Sequence, residues 1–159
     1  MTLKERLQFD TTAAMRSGDS LRRDTLRMVQ NSAYNLEKKS GKPLTEDELL
    51  AVFSREVKTR RESVEAFRAG GRAELAAKEE AEIAIIGGYL PAALTDAELA
   101  ALVREGIAAT GATSARDMGK VMGWLSPHTR GRADGKRVSE LVVQTLAAAD
   151  LAAHDVGTH

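Results

Sequence analysis

Leu44-Thr45-Glu46-Asp47-Glu48-Leu49 is the stretch of sequence that decides the fold, because it marks the start of a helix in two ways at once. Thr45 and Glu48 have the spacing of a capping box, and Leu44 and Leu49 have the spacing of a hydrophobic staple. The same cap, box and staple recur at Leu94-Thr95-Asp96-Ala97-Glu98-Leu99. The chain therefore uses one local solution twice, at the start of a helix in each half.

Composition agrees with a helical protein. The 159 residues allow one domain or two small ones, and only 4% of them are aromatic, while Ala, Leu, Glu, Arg and Lys dominate. The absence of Cys excludes disulfides and thiolate ligands. The first residues show no apolar signal segment, and no run reaches the ~20 apolar residues of a membrane span. We expect a cytoplasmic protein with no membrane partner.

Apolar spacing and turn signals predict an all-α fold with seven helices. Four longer helices form an N-terminal hairpin or bundle unit over residues 1–88, and three short ones form a C-terminal unit over residues 94–149. Tyr89-Leu90-Pro91 is the predicted boundary, and residues 150–159 are expected to fray. A short strand at Ile83–Ile86 is the alternative to the end of the fourth helix, and the helix is preferred because the preceding stretch has no β-formers.

Charged residues of the third and fourth helices are interpreted as solvated faces, although pairing between the two helices is an open alternative. The fourth helix is predicted to bury Leu75, Ile83 and Ile86. The expected solvent-facing charges are Arg55, Lys58, Arg60 and Arg61 on the third helix and Glu79, Glu80 and Glu82 on the fourth.

Catalytic motifs are not found in the sequence. Gly119-Lys120 and Gly135-Lys136 lack the remaining residues of a phosphate-binding P-loop. His128, His154 and His159 fall in a predicted loop and tail, where their spacing does not support a helical metal site. We therefore predict no catalytic residue, no cofactor and no metal, and we do not expect an enzyme that acts alone.

The segment Asp117–Arg137, DMGKVMGWLSPHTRGRADGKR, is the basic region of the C-terminal half. From Arg116 to Arg137 it has six Lys or Arg against two acids. Gly131 allows a bend before the seventh helix, for which Asp134 is the predicted cap, and a helix amino terminus beside cations can bind an anion. A solvated basic turn is the equal alternative. The candidate phosphate contacts are Lys120, Arg130, Arg132, Lys136 and Arg137.

Gly119, Gly123 and Trp124 lie on the predicted sixth helix, which Pro127 is expected to end. The two glycines have the spacing for close packing between helices, which we favour over a role towards a ligand. Trp124 lies one position away from the apolar face. It is therefore either an exposed aromatic that can stack on a base or a residue at the boundary of the core.

The paired motifs Asp117-Met118-Gly119-Lys120-Val121-Met122-Gly123 and Gly131-Arg132-Ala133-Asp134-Gly135-Lys136 resemble the signature of the GatB/YqeY family. Tyr89-Leu90-Pro91 and Arg60-Arg61-Glu62-Ser63 also resemble it, whereas Gly87-Gly88 departs from it. Members that stand alone are similar to the tail domain of the glutamyl/aspartyl-tRNA amidotransferase B subunit. The resemblance implies an all-helical fold in two units and a tail that contacts tRNA, while the amidotransferase chemistry lies outside the tail.

The resulting expectation is a non-catalytic module that binds tRNA or another structured RNA. Five phosphate contacts on a single strand predict a slope of log K against log salt on the order of −3.5. Charge reversal of Arg130 and Arg132 is expected to weaken binding for different RNA sequences alike. Two alternatives stay open: a protein-interaction adaptor that docks an enzyme, and an accessory to a carbon–nitrogen ligase that uses glutamine as amide donor.

Overall fold

A computed structural model describes the backbone of residues 1–157 and the side chains of residues 1–153. The side chains of His154 and His159 lie outside those described, so the prediction that they form no helical metal site stays a prediction. The all-α prediction is confirmed, because the described residues form α-helices joined by turns and one short 3₁₀ turn, Ala115–Asp117. The helices are α1 (Leu3–Ser17), α2 (Ser20–Ser40), α3 (Glu46–Ala69), α4 (Ala73–Gly87), α5 (Asp96–Thr110), α6 (Met118–Thr129) and α7 (Gly135–Gly157).

The chain divides into two compact units, which we call unit 1 (Met1–Pro91) and unit 2 (Ala92–His159). Unit 1 holds α1 to α4, and unit 2 holds α5 to α7. Residues 83–86 belong to α4, so the helix was the correct choice over the strand. Helix α7 continues to Gly157, and the fraying expected of the tail stays a prediction. No helix among the described residues has the length and apolar content to cross a membrane.

Helix caps follow the sequence signals with one difference between the two units. In unit 1 the capping box of Thr45 and Glu48 forms in both directions. In unit 2 the Thr95 hydroxyl accepts from the Glu98 amide, but the Glu98 carboxylate accepts from the Thr95 hydroxyl at 3.0 Å rather than from the backbone. The predicted second box is therefore only half formed. A further complete box, made by Thr2 and Glu5 at the start of α1, was not predicted.

The core of unit 1 lies where all four of its helices meet. Phe53 and Leu26 are fully buried there with Ile86, and Leu49 and Leu44 join them from the start of α3. Tyr89 closes this core after α4, with its ring centroid 5.2 Å from that of Phe53. Its hydroxyl donates to Asp10. Burial, and to a smaller extent this hydrogen bond, raise the pKa of Tyr89.

The charged faces predicted for α3 and α4 need correction. Arg60 and Glu82 are not solvated but buried, each about 6% exposed, and Arg60 Nε donates to Glu82 Oε2 over 2.9 Å. Arg60 Nη1 also donates to Glu56 Oε2 over 2.6 Å. Leu75, predicted to be buried, is 39% exposed. The prediction for Ile86 is confirmed, whereas the other two buried positions of α4 are Ala76 and Glu82, each next to a predicted one. Glu82 is buried because it pairs with Arg60 of α3.

The core of unit 2 is built from α5, α6 and α7. Val103, Leu125 and Val142 represent its fully buried layer, one from each helix. Pro127 does not end α6 as predicted but lies within its last turn, and the helix ends two residues later at Thr129. Proline there removes one intrahelical hydrogen bond, to the carbonyl of Gly123, and weakens the last turn without ending the helix. α7 contacts both α6 and the 3₁₀ turn before it, so it runs back along α6.

Candidate nucleic-acid interface

The connection between α6 and α7 is a tight bend built on local hydrogen bonds. Arg132 and Ala133 both donate their amides to the carbonyl of Thr129, at 2.9 and 3.0 Å. Gly131 has φ of 74°, a left-handed value that glycine adopts without strain, so its predicted role in the bend is confirmed. The bend carries four of the five candidate phosphate contacts. We call Arg130, Arg132, Lys136 and Arg137 the basic turn.

Arg132 has a structural task within the basic turn. Its Nε donates to the carbonyl of Ala92 at 3.1 Å, and its own carbonyl accepts from the amide of Leu94 at 2.9 Å. Arg132 thus fixes the segment that leads into α5 against the bend, and its side chain is half-buried. A substitution at Arg132 would change the fold of unit 2 as well as its charge.

Arg137 is held by an acid of the neighbouring helix. Its guanidinium pairs with the carboxylate of Asp96 in the first turn of α5, while 48% of the Arg137 side chain stays exposed. The pair reduces the charge that Arg137 offers to an external anion.

Arg130 and Lys136 are exposed, as Arg137 is, and Arg132 is the half-buried member of the basic turn. Arg130 caps the end of α6, and its Nη2 donates to the Ser126 hydroxyl at 3.1 Å. Lys136 lies in the first turn of α7, and its amide makes a long contact of 3.4 Å to Asp134. The carboxylate of Asp134 therefore occupies part of the anion position that the helix amino terminus would offer.

Lys120 is not part of this cluster. It lies in the first turn of α6, ten residues before Arg130. A rise of 1.5 Å per residue places the two about 15 Å apart along the helix axis. Its Nζ is 4.0 Å from Asp117 Oδ1. The pKa of Asp117 is lowered chiefly by the backbone amide of Thr113, which donates to it at 2.9 Å.

The close helix packing predicted at Gly119 and Gly123 of α6 is wrong, and the glycine that packs against a neighbouring helix is Gly106. A Cβ on Gly119 or Gly123 would meet nothing within 4 Å, so neither packs against a neighbouring helix. A Cβ on Gly106 of α5 would lie 2.8 Å from Trp124 Cε3. Trp124 is therefore a half-buried boundary residue that rests on α5. Gly106 was not singled out from the sequence, since a single glycine within a helical pattern does not reveal its neighbour.

His128, interpreted from the sequence as a loop residue, lies on α6 and packs against Trp124. The two ring centroids are 4.6 Å apart, with their planes inclined by 34°. We call Trp124 and His128 the aromatic pair. Among the described side chains, no group of three or more His, Asp or Glu could hold a metal ion.

The geometry defines the class of protein: an all-helical chain in two units with a basic turn before its last helix. The sequence profile of the Yqey-like protein family matches residues 4–146, nearly the whole chain. The chain therefore belongs to the Yqey-like protein family.

Three curated fungal proteins, each named "Altered inheritance of mitochondria protein 41, mitochondrial", are similar to this chain. The protein from Pyrenophora tritici-repentis is 31% identical over 147 residues, which cover 90% of this chain and 80% of that protein. The protein from Lachancea thermotolerans is 29% identical over 87% of this chain and 78% of that protein. A shorter match to the Eremothecium gossypii protein is 36% identical and covers 54% of this chain and 48% of that protein.

Proposed function

We propose that this chain is a non-catalytic RNA-binding module whose ligand is tRNA or another structured RNA. The observation that carries the proposal is the basic turn, where Arg130 and Lys136 are exposed beside the amino end of α7. Arg132 and Arg137 add positive charge within the same few residues. Cations at such a position attract phosphates, and their contacts position an RNA without reading its sequence.

The family resemblance gives the proposal its ligand. The motifs that resemble the tail domain of the tRNA-dependent amidotransferase lie on α6 and at the start of α7, the two helices that flank the basic turn. The resemblance implies that the tail is the part of the amidotransferase that contacts tRNA. The formal charge of the chain is zero, so we expect RNA binding to depend on this local excess and to be weakened by salt.

Charge reversal at Arg130 and Lys136 is the experiment that tests the proposal. Arg132 is unsuitable, because its bond to Ala92 makes a loss of binding ambiguous. The Arg130→Glu, Lys136→Glu double variant should bind RNA of any sequence more weakly, and it should keep the helical circular dichroism of the wild type. The matched control reverses two exposed cations of unit 1, Arg55 and Arg61, and should bind as the wild type does. Equal binding by the first variant and the wild type would refute the proposal.

A second candidate function is a protein-interaction adaptor, and the surface of α1 favours it. Met1 is 85% exposed and Phe9 63% exposed, and both border a shallow depression on this helix together with Ala13. An adaptor would retain a partner protein after ribonuclease treatment, and Phe9→Ser would release that partner. An RNA-binding module predicts that ribonuclease removes whatever is captured together with the chain.

We keep a cytoplasmic location as part of the proposal, although the names of the fungal relatives describe those proteins as mitochondrial. Cell fractionation of the tagged chain would separate the two locations. Recovery in an organelle fraction would overturn this part of the proposal and leave the RNA-binding part to its own test.

A further inference from the structure

The aromatic pair forms a rigid surface on α6. Trp124 and His128 are four residues apart, so they lie on the same side of the helix. Trp124 is half-buried, and His128 is exposed. The indole therefore packs against the imidazole, and the imidazole is the more exposed of the two rings.

Gly106 holds this surface in place. It is buried in the interior of α5, where glycine is among the least favourable residues for a helix. A Cβ there would lie 2.8 Å from Cε3 and 3.3 Å from Cζ3 of Trp124. Glycine thus lets the indole lie directly against the backbone of α5. An aromatic ring that is fixed in this way loses little conformational entropy when a flat ligand stacks on the pair.

The aromatic pair adjoins the basic turn. His128 is in the last turn of α6, and Arg130 follows the end of that helix. Proteins that bind single-stranded nucleic acid combine cations along the backbone with aromatic rings on which bases stack. A base within a duplex is covered on both faces by its neighbours, so an unpaired base is the one that can present a face to His128.

We propose that His128, supported by Trp124, stacks on an unpaired base of an RNA whose phosphates contact the basic turn. This inference rests on the proposed function and narrows its ligand to RNA with a single-stranded end or loop beside a helix. The alternative is that the contact between the two rings only stabilises α6.

A pair of RNA duplexes distinguishes these two roles. Both duplexes carry the same short unpaired extension, but in one of them the extension is abasic, so that the number of phosphates is equal. Wild-type protein should bind the extension with bases about 5- to 150-fold more tightly than the abasic one, as expected for one stacked base. His128→Ala should reduce this ratio to about one, and His128→Tyr should retain it. Lys136→Glu should weaken binding to both duplexes and leave the ratio unchanged.

Intrinsic fluorescence gives a second readout, because Trp124 is the only Trp of the chain. The extension with bases should change its emission, and the abasic extension should change it less. The inference would be overturned if His128→Ala and the wild type had the same ratio of binding to the two duplexes. A ratio of one in the wild type would also overturn it. Either result would leave the proposed function intact. Failure of the wild type to bind either duplex would refute both.

Discussion

Arg60 of unit 1 and the exposed cations of the basic turn in unit 2 have opposite roles. In unit 1, Arg60 is buried between Glu56 and Glu82, where its charge links α3 to α4. In unit 2, Arg130 and Lys136 are exposed around a bend between helices. The two regions have similar sequence patterns, because both place Lys and Arg between apolar positions. The difference teaches that a cation in this chain can contribute either to the interior of a unit or to its surface charge, and that the burial of its side chain decides which.

Removal of Arg60 should have the largest effect on stability. Burial lowers the pKa of Arg60, but hydrogen bonds to Glu56 and Glu82 outweigh burial and raise it. Arg60→Ala would leave Glu82 buried without its cation, and loss of one partner of a buried pair costs about 3–5 kcal/mol. Urea unfolding followed by circular dichroism would measure this cost. The exposed neighbour Arg61→Ala is the control, and an equal loss in both variants would contradict the interior role of Arg60.

A methyl group at Gly106 should have the next largest effect. The added Cβ would lie 2.8 Å from the indole, and overpacking of this kind costs about 1–3 kcal/mol. The better helix propensity of Ala offsets up to ~1 kcal/mol of this cost. We expect Gly106→Ala to lower the unfolding free energy by about 1 kcal/mol and to shift the emission of Trp124.

Gly119→Ala is the matched control for Gly106→Ala, since it adds the same methyl group to an open position on α6. It should stabilise the chain by about 0.5–1 kcal/mol, through helix propensity alone. Changes of the same sign in both variants would show that the contact between Gly106 and Trp124 does not limit packing.

The helix caps at the starts of α3 and α5 allow a comparison of the two units at a smaller energy scale. Glu48→Ala removes a carboxylate that accepts from the Thr45 amide, whereas Glu98→Ala removes one that contacts only the Thr95 hydroxyl. The first substitution should therefore lower the unfolding free energy by up to ~1 kcal/mol and the second by less. Thermal unfolding of the two variants checks the order, and a larger loss for Glu98→Ala would reverse it.

The smallest effect concerns the acidic face of α4. Burial and the charge of Glu82 raise the pKa of Glu79. The folded state therefore binds this proton more tightly than the unfolded chain does, and the resulting stability is lost as the pH rises through the folded pKa. Glu79→Gln should raise Tm at pH 7 and have little effect near pH 4. Melting curves at both pH values test this, and an equal shift at the two values would exclude a titration of Glu79.

Local signals in the sequence predicted the helices, since caps, turns and glycines act within a few residues of the positions that they affect. Thr45, Gly131 and the helical state of residues 83–86 were all predictable on that basis. Contacts between helices were not predictable in the same way. Arg60 resembles its exposed neighbours in sequence, and only the packing of α3 against α4 places it beside Glu82.

The candidate site shows the same limit. The positive charge of the basic turn is visible in the sequence because its four cations lie within eight residues. The engagement of Arg132 with Ala92 is not visible, because forty residues separate them in the chain. Gly106 and His128 were missed for the related reason that each is defined by its contact with Trp124. RNA binding itself stays a prediction.

The salt dependence of RNA binding tests the central claim most directly. Each phosphate contact that is lost should make the slope of log K against log salt shallower by about 0.7–0.9. We predict that reversal of Arg130 and Lys136 makes the slope shallower by about 1.4–1.8, from two such contacts. Reversal of Arg55 and Arg61 in unit 1 should leave it unchanged. Equal slopes for the wild type and both double variants, or a change only in the unit 1 variant, would contradict the claim that the basic turn binds RNA.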